Sequence, residues 1–175
     1  MGTAMTSPPY ASVLIVGAGQ GLSASLTRLF RKEGLAVAIA ARNTAKLAPL
    51  CAETGAVAFG CDAQDVAQVQ RLFADLERTH HAPDVVIYNA SARTRGSFVH
   101  LVPAEVQHAL QVTAFGAFMI AQQAARRMLP KGHGAMLFTG ASASVKGYAQ
   151  SAPFAMGKFA LRGLAQSLAR ELSPQ

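Results

Sequence analysis

The chain has 175 residues, enough for one domain with a substantial core, and 51% of them are hydrophobic while only 14% are charged. This composition excludes a disordered protein, and no run approaches the roughly 18 to 20 apolar residues of a membrane-spanning helix. The formal net charge of +7 comes from scattered basic residues without a nucleic-acid-binding motif, which favours a phosphate-rich small ligand over nucleic acid.

Residues 1–11 are predicted to be a flexible leader, because they lack the basic and apolar regions of a secretory signal. Residues 12–175 form the predicted single domain, in which strand-like and helix-like patterns alternate. Short apolar runs predict buried strands at 12–16, 35–40, 56–59, 85–88 and 135–139.

Helices are predicted between these strands. The first carries an apolar face of Leu22, Leu26, Leu29 and Phe30 and ends at Gly34. The second runs to about residue 53, with Asn43 or Thr44 as its cap, and the third carries apolar residues from Val66 to Leu76. A long helix is predicted over 103–128, and the last begins near Phe154.

This alternation predicts an α/β fold of the Rossmann type, a doubly wound parallel sheet with helices on both faces. The expected strand order is 3-2-1-4-5. In such sheets, ligands bind at the carboxyl ends of the strands, next to the point where the strand order reverses.

A glycine-rich loop follows the first predicted strand at this edge. A loop of this kind lets the backbone approach a pyrophosphate, and the next helix offers free N–H groups. The sequence therefore predicts dinucleotide binding by Gly17, Gly19, Gln20, Gly21 and Leu22. The alternative is a tight strand-to-helix turn without a ligand.

The end of the second strand indicates which dinucleotide binds. An acidic residue there would bind the adenosine ribose and repel a 2′-phosphate, but the sequence is Ala40-Ala41-Arg42-Asn43. Because an arginine can bind a phosphate with two parallel hydrogen bonds, we expect NADP rather than NAD, with Arg42 and Asn43 in contact with it. Otherwise Arg42 is an ordinary solvated charge.

No metal site is predicted. Cys51 and Cys61 have no metal-ligand spacing, which is typical of reduced thiols in a cytoplasmic protein. The histidines are also without such spacing, at His80, His81, His100, His108 and His133.

Four segments together resemble the short-chain dehydrogenase/reductase family, and the resemblance extends over nearly the whole chain. They are Gly17-x-x-x-Gly21-x-Ser23, Cys61-Asp62-Ala63, Tyr88-Asn89-Ala90-Ser91 and Phe154-x-x-x-Lys158. The resemblance implies further cofactor contacts by Asp62, Ala63, Asn89, Ala90, Ser91 and Lys158.

The chain is identified as an atypical member of that family, which uses a serine, a tyrosine, a lysine and an asparagine in catalysis. Lys158 matches the lysine, which binds the nicotinamide ribose. Phe154 stands in the place of the tyrosine, Ala141 in that of the serine and Thr113 in that of the asparagine. Ser142 and Tyr148 are the candidate catalytic substitutes. Ser144 is a further substrate-binding candidate, and loop capping is the alternative role for Ser142 and Ser144.

The resemblance implies an NADP-dependent oxidoreductase with an atypical or impaired catalytic site and an unknown small-molecule substrate. The alternative is a non-catalytic NADP(H)-binding sensor or assembly protein. A purely structural dimerisation domain would leave the glycine loop unexplained. The resemblance also implies a homo-oligomer built through the two long helices, and a fold that lacks the family's usual strands after Gln175, either by truncation or by true absence.

Overall fold

A computed structural model describes residues 10–79 and 82–173. Most of the predicted leader, together with His80 and His81, lies outside these described residues.

The core of the fold is a five-stranded parallel sheet with the order β3-β2-β1-β4-β5, so the predicted order is confirmed. The strands are β1 Ser12–Val16, β2 Ala36–Ala41, β3 Val57–Gly60, β4 Val85–Tyr88 and β5 Ala135–Phe138. Val16 pairs with Ala40 on one side and with Tyr88 on the other. The strands therefore end at one common edge, where the loops that follow them meet.

Within the described ranges, six α-helices connect and cover the strands: α1 Leu22–Lys32, α2 Ala48–Thr54, α3 Val66–Thr79, α4 Pro103–Leu110, α5 Gly116–Met128 and α6 Ala152–Leu172. The predicted long helix over 103–128 is α4 and α5, joined by a π-helical segment at Gln111–Phe115. No helix in the described part of the chain has both the length and the apolar character to cross a bilayer.

Each face of the sheet has its own hydrophobic core. Leu14, Val16 and Tyr88 pack on the face covered by α3 and α5. Val13 and Ile15 point to the opposite face, against α1 and α2. Neighbouring residues of β1 thus supply both cores, which explains why the strand is apolar throughout.

The predicted apolar face of α1 is partly wrong. Leu22 and Leu29 are 51% and 49% exposed, and the fully buried positions are Ser23, Ala24 and Thr27. Small side chains allow the helix to lie close to the sheet. The Thr27 hydroxyl donates a hydrogen bond to the carbonyl of Ser23 at 2.8 Å, so its polarity is satisfied inside the core.

Candidate active site

A cleft of about 890 Å³ lies at the carboxyl edge of the sheet, where the sequence predicts the ligand. Most of the predicted cofactor residues line it, namely Gly17, Gly19, Gln20, Arg42, Asn43, Asp62, Ala63, Asn89, Ala90 and Ser91. Gly21, Leu22 and Lys158 are not part of its lining. Lys46 and His108 also line the cleft, and neither is among the residues predicted to bind the cofactor.

The glycine loop is held tightly against β2 and β4. Gly17 has a left-handed φ of +84°, and a side chain there would collide with the backbone of Ala90. The N–H groups of Gly17 and Ala18 both donate to the carbonyl of Ala40, at 2.9 and 3.0 Å. The Asn89 side chain donates to the Gly17 carbonyl at 3.3 Å. The resulting narrow turn presents its backbone to the cleft.

The start of α1 suits an anion. Gly21 provides no side-chain cap, and the first turn of the helix contains no acidic residue. The first N–H groups of a helix have no partner within it and carry partial positive charge. A pyrophosphate would satisfy them, so the chain's own groups fit a dinucleotide here.

The far end of the cleft is basic. Arg42 and Lys46 both line it, while no acidic residue ends β2. The Asn43 side chain accepts a hydrogen bond from the N–H of Ala45 at 3.1 Å, which fixes the turn that carries Lys46. The cleft end is therefore suited to a phosphate group.

Asp62 and Cys61 close the cleft beside β3. The Asp62 carboxylate accepts hydrogen bonds from the backbone and side chain of Gln64, at 3.1 and 3.2 Å. Burial, followed by the charges of Asp62 and Asp65, raises the pKa of the Cys61 thiol to about 11. A thiol in this state is neutral and unreactive at physiological pH.

Lys158 is in the second turn of α6, with only 3% of its surface exposed. Its ammonium donates to the carbonyl of Thr139 at 2.6 Å. Burial, and then the positive charge of Arg93, lowers the pKa of Lys158. The ammonium is 5.8 Å from the centre of the Phe154 ring, so the two residues that are predicted to stand at the lysine and tyrosine positions are neighbours.

Arg93 completes this group, although it is not among the predicted site residues. Its guanidinium carbon is 4.1 Å from the centre of the Phe154 ring, a cation–π contact. The available signal was its position, five residues after the end of β4 at the edge where the site was expected.

The structure brings the two candidate substitutes together on the loop after β5. The pKa of Tyr148 is lowered, mainly by a hydrogen bond with Ser142. A hydrogen bond with Lys146 and the charge of its ammonium act in the same direction, while partial burial opposes the shift. The Lys146 ammonium is 5.1 Å from the Tyr148 ring centre. Tyr148 is 44% exposed and therefore accessible to a ligand.

Ser144 and Thr113 have structural contacts. The Ser144 hydroxyl accepts from the N–H of Ala141 at 3.1 Å, so it ties the loop as a cap would. The buried Thr113 hydroxyl accepts from the N–H of Ala92 at 3.2 Å. It thereby connects the π-helical segment to the loop that carries Arg93. Among the described residues, no group of three or more His, Cys, Asp or Glu side chains is arranged to hold a metal ion.

Comparison with known proteins gives a consistent result. Residues 11–175 match the family model described as short chain dehydrogenase. The chain is 28% identical over 168 residues to the 3-oxoacyl-[acyl-carrier-protein] reductase MabA of Mycobacterium tuberculosis, a match that covers 95% of this chain and 66% of the relative. It is also 28% identical to the cyclic-di-GMP-binding biofilm dispersal mediator protein of Escherichia coli, over 94% of this chain and 68% of that one.

The crystal structure of a short-chain dehydrogenase from Rhodopseudomonas palustris superposes with a TM-score of 0.88 at 34% identity. The match covers 95% of this chain and 81% of that structure. The chain thus spans slightly less than two thirds of the mycobacterial relative and about four fifths of this structure.

Proposed function

The chain belongs to the short-chain dehydrogenase family, and from that premise we propose that it is an NADP(H)-dependent oxidoreductase whose site works without the family's tyrosine. The observation that carries the proposal is a cleft that the glycine loop lines together with two basic residues at the end of β2. These residues are Arg42 and Lys46. Lys158 is buried outside the cleft lining and donates to the carbonyl of Thr139, in the loop after β5.

The preference for NADP rests on the end of β2. An arginine and a lysine flank the space in which an adenosine 2′-phosphate would lie, and the acidic residue that would accept the ribose hydroxyls of NAD is missing there. Arg42 would bind this phosphate with two of its N–H groups, and Lys46 would add a second positive charge.

The bound nicotinamide would supply a hydride to a carbonyl carbon, and the carbonyl oxygen would then take up one proton to give an alcohol. Phe154 has no proton to give. Ser142 and Tyr148 would replace it, because the hydrogen bond from Ser142 and the Lys146 ammonium lower the pKa of the Tyr148 hydroxyl. Lys158 would bind the nicotinamide ribose.

Single-turnover oxidation of NADPH tests this proposal. The protein is mixed with stoichiometric NADPH and a panel of aldehydes, ketones and quinones, and absorbance at the reduced nicotinamide band is followed. We expect turnover with at least one class, slowed by Tyr148→Phe and unaffected by the control Tyr10→Phe, since Tyr10 stacks on His133 beside the opposite end of β1. Failure of NADPH to bind would contradict the proposal outright.

A non-catalytic NADP(H)-binding protein is the second candidate. Phe154, Ala141 and Thr113 together replace the hydroxyl and amide groups of the family's site. One relative, from Escherichia coli, is described by its binding of cyclic-di-GMP rather than by a reaction. Tight NADPH binding without oxidation by any member of the panel would select this candidate.

We also propose that the chain forms a homo-oligomer through its long helices. Four large apolar side chains on these helices are each between 42% and 49% exposed. They are Phe115 at the end of the π-helical segment, Phe118 on α5, and Met156 and Phe159 on α6. Phe115 and Phe118 line an apolar groove with Ala160 and Leu164, and a second copy would cover this surface. Analytical ultracentrifugation should show dissociation for Phe118→Glu with Phe159→Glu, and none for the exposed control Leu29→Glu.

A further inference from the structure

Arg93 and Lys158 form a pair of positive charges around Phe154 without an acidic partner. None of the four ion pairs in the described part of the chain includes either residue. Lys158 has its hydrogen bond to the carbonyl of Thr139. The Arg93 guanidinium contacts the Phe154 ring and has no hydrogen-bond acceptor among the described residues. Its N–H groups are therefore available to a ligand.

The loop that carries Arg93 is fixed on both sides of this residue. The N–H of Ala92 donates to Thr113, and the Thr94 hydroxyl donates to the backbone carbonyl of Glu105 at 3.4 Å. The N–H of Gly96 donates to the carbonyl of Gln150 at 3.2 Å, which joins this loop to the one that precedes α6. Gln150 has a φ of 57°, the one positive value outside glycine in the described ranges.

These contacts fix the backbone on both sides of Arg93, and the cation–π contact places its exposed guanidinium over the Phe154 ring. Glu105 is the one acidic residue among these contacts. Its backbone carbonyl, and not its carboxylate, accepts from Thr94, and none of the ion pairs in the described residues includes it. Phe154 thus offers the face of its ring, which attracts a cation, where the family has a hydroxyl. Where the family's tyrosine would donate a proton, Phe154 instead holds the guanidinium of Arg93 against its ring.

We propose that Arg93 binds the carboxylate of a small-molecule substrate, with Phe154 as the residue that positions its guanidinium. An arginine held on an aromatic ring keeps N–H groups that match the two oxygens of a carboxylate. The adjacent positive charge of Lys158 disfavours a cationic ligand at the same place. This inference deepens the proposed function, on which it rests, since it names the substrate class of that site.

Titration calorimetry with matched ligands tests the inference. Pyruvate, 2-oxobutanoate and phenylpyruvate, each paired with its uncharged amide, are titrated into the free protein and into the protein saturated with NADP⁺. We expect at least one acid to bind about 10-fold or more tightly than its amide. Two hydrogen bonds between a guanidinium and a carboxylate contribute at least that difference in affinity. Equal affinity for every acid and its amide would overturn the proposal.

Four variants identify the group that is responsible. Arg93→Gln should abolish the preference for the acid, Arg93→Lys should keep part of it, and Phe154→Leu should weaken it by releasing the guanidinium. Arg95→Gln, two positions along the same loop, is the matched control and should leave it unchanged. A preference that persists in Arg93→Gln, with a wild-type melting temperature, would assign the carboxylate to another residue and refute the proposal.

The free-protein titration separates this result from the proposed function. If NADP⁺ does not bind, the proposed oxidoreductase fails, while the acid and amide titrations still decide the role of Arg93. If NADP⁺ binds and the acids show no preference, the carboxylate site fails and cofactor binding stands.

Discussion

Gly116 and Tyr88 meet where the long helix crosses the end of β4, and a methyl group on Gly116 would lie 2.5 Å from the Tyr88 hydroxyl oxygen. The same methyl group would lie 2.8 Å from the backbone carbonyl oxygen of Ala63. The Tyr88 hydroxyl donates to the carbonyl of Val112, inside the π-helical segment. The hydrogen bond from Tyr88 to Val112 ties the π-helical segment to β4. Thr113 of the same segment accepts from the N–H of Ala92, in the loop that carries Arg93.

Gly116→Ala should therefore destabilise the protein. The backbone carbonyl of Ala63 cannot move aside as a flexible side chain can, so the substitution overpacks the core at a cost of about 1–3 kcal/mol. Urea unfolding followed by circular dichroism measures the change. Gly163→Ala is the matched control on α6, because nothing lies within 4 Å of a methyl group there. It should raise stability by up to about 1 kcal/mol through helix propensity, and equal effects of the two variants would contradict the contact.

Arg42→Ala should weaken NADPH binding about 10- to 100-fold while changing NADH binding little, if the hydrogen bonds of Arg42 go to the 2′-phosphate as we propose. Lys46→Ala should act in the same direction with a smaller effect, because an ammonium binds phosphate as a point charge. Fluorescence titration of both reduced cofactors measures the two affinities. Lys32→Ala, exposed at the far end of α1, is the control. Parallel losses for NADPH and NADH would refute a 2′-phosphate contact.

The sheet was predictable because its central strands are buried on both faces and must be apolar throughout. Every residue from Val13 to Val16 is at most 1% exposed, which leaves an uninterrupted apolar run in the sequence. The inner face of α1 was not predictable from apolar spacing, because close packing on the sheet selects Ser23, Ala24 and Thr27 for their size. Leu22 and Leu29 follow the helical period but lie on the outer side.

Candidate site residues were predictable from the sequence where a single short segment indicates them. The glycine loop, Arg42 and Lys158 each carry their signal within a few residues of a strand or helix end. The signal of Arg93 is only its position after β4, and it indicates neither the contact with Phe154 nor the hydrogen bond between Gly96 and Gln150 that joins the two loops. Two loops separated by more than fifty residues along the chain create that contact, and only the tertiary structure reveals it.

Asp84 should make the stability of the protein depend on acid pH. Burial alone would raise its pKa, but hydrogen bonds from Ala11, Lys131 and Ser12, with the Lys131 charge, outweigh burial and hold the pKa below its ordinary value. A carboxyl group with a lowered folded-state pKa stabilises the fold above its unfolded-state pKa. That contribution is lost as the pH falls through the folded-state value.

Asp84→Asn should accordingly cost about 1–3 kcal/mol at pH 7, because it removes the charge of a buried carboxylate that accepts from the N–H groups of Ala11 and Ser12. The difference from the wild type should shrink below about pH 4, where the carboxyl group of the unfolded chain is protonated. Urea unfolding at pH 7 and pH 3.5 measures both values. Asp75→Asn, in an exposed pair with Arg78, should change little at either pH. A difference independent of pH would assign the effect of Asp84 to packing rather than charge.

Restoring the family's hydroxyl groups should create or raise carbonyl reduction. In Phe154→Tyr with Ala141→Ser, the new phenol would lie next to the Lys158 ammonium, 5.8 Å from the present ring centre, and a nearby positive charge lowers a tyrosine pKa. A positioned general acid is worth roughly 10²- to 10⁴-fold in rate, so the gain in single-turnover NADPH oxidation should fall in that range.

Phe159→Tyr is the control, since it adds the same hydroxyl to the exposed side of α6 and should leave the rate unchanged. The double variant also bears on Arg93, because the tyrosine keeps an aromatic face under the guanidinium while it adds a proton donor. The carbonyl substrates that gain most should then carry a carboxylate. A double variant that folds and binds NADPH but reduces nothing would show that Phe154 does not occupy the position of the catalytic tyrosine.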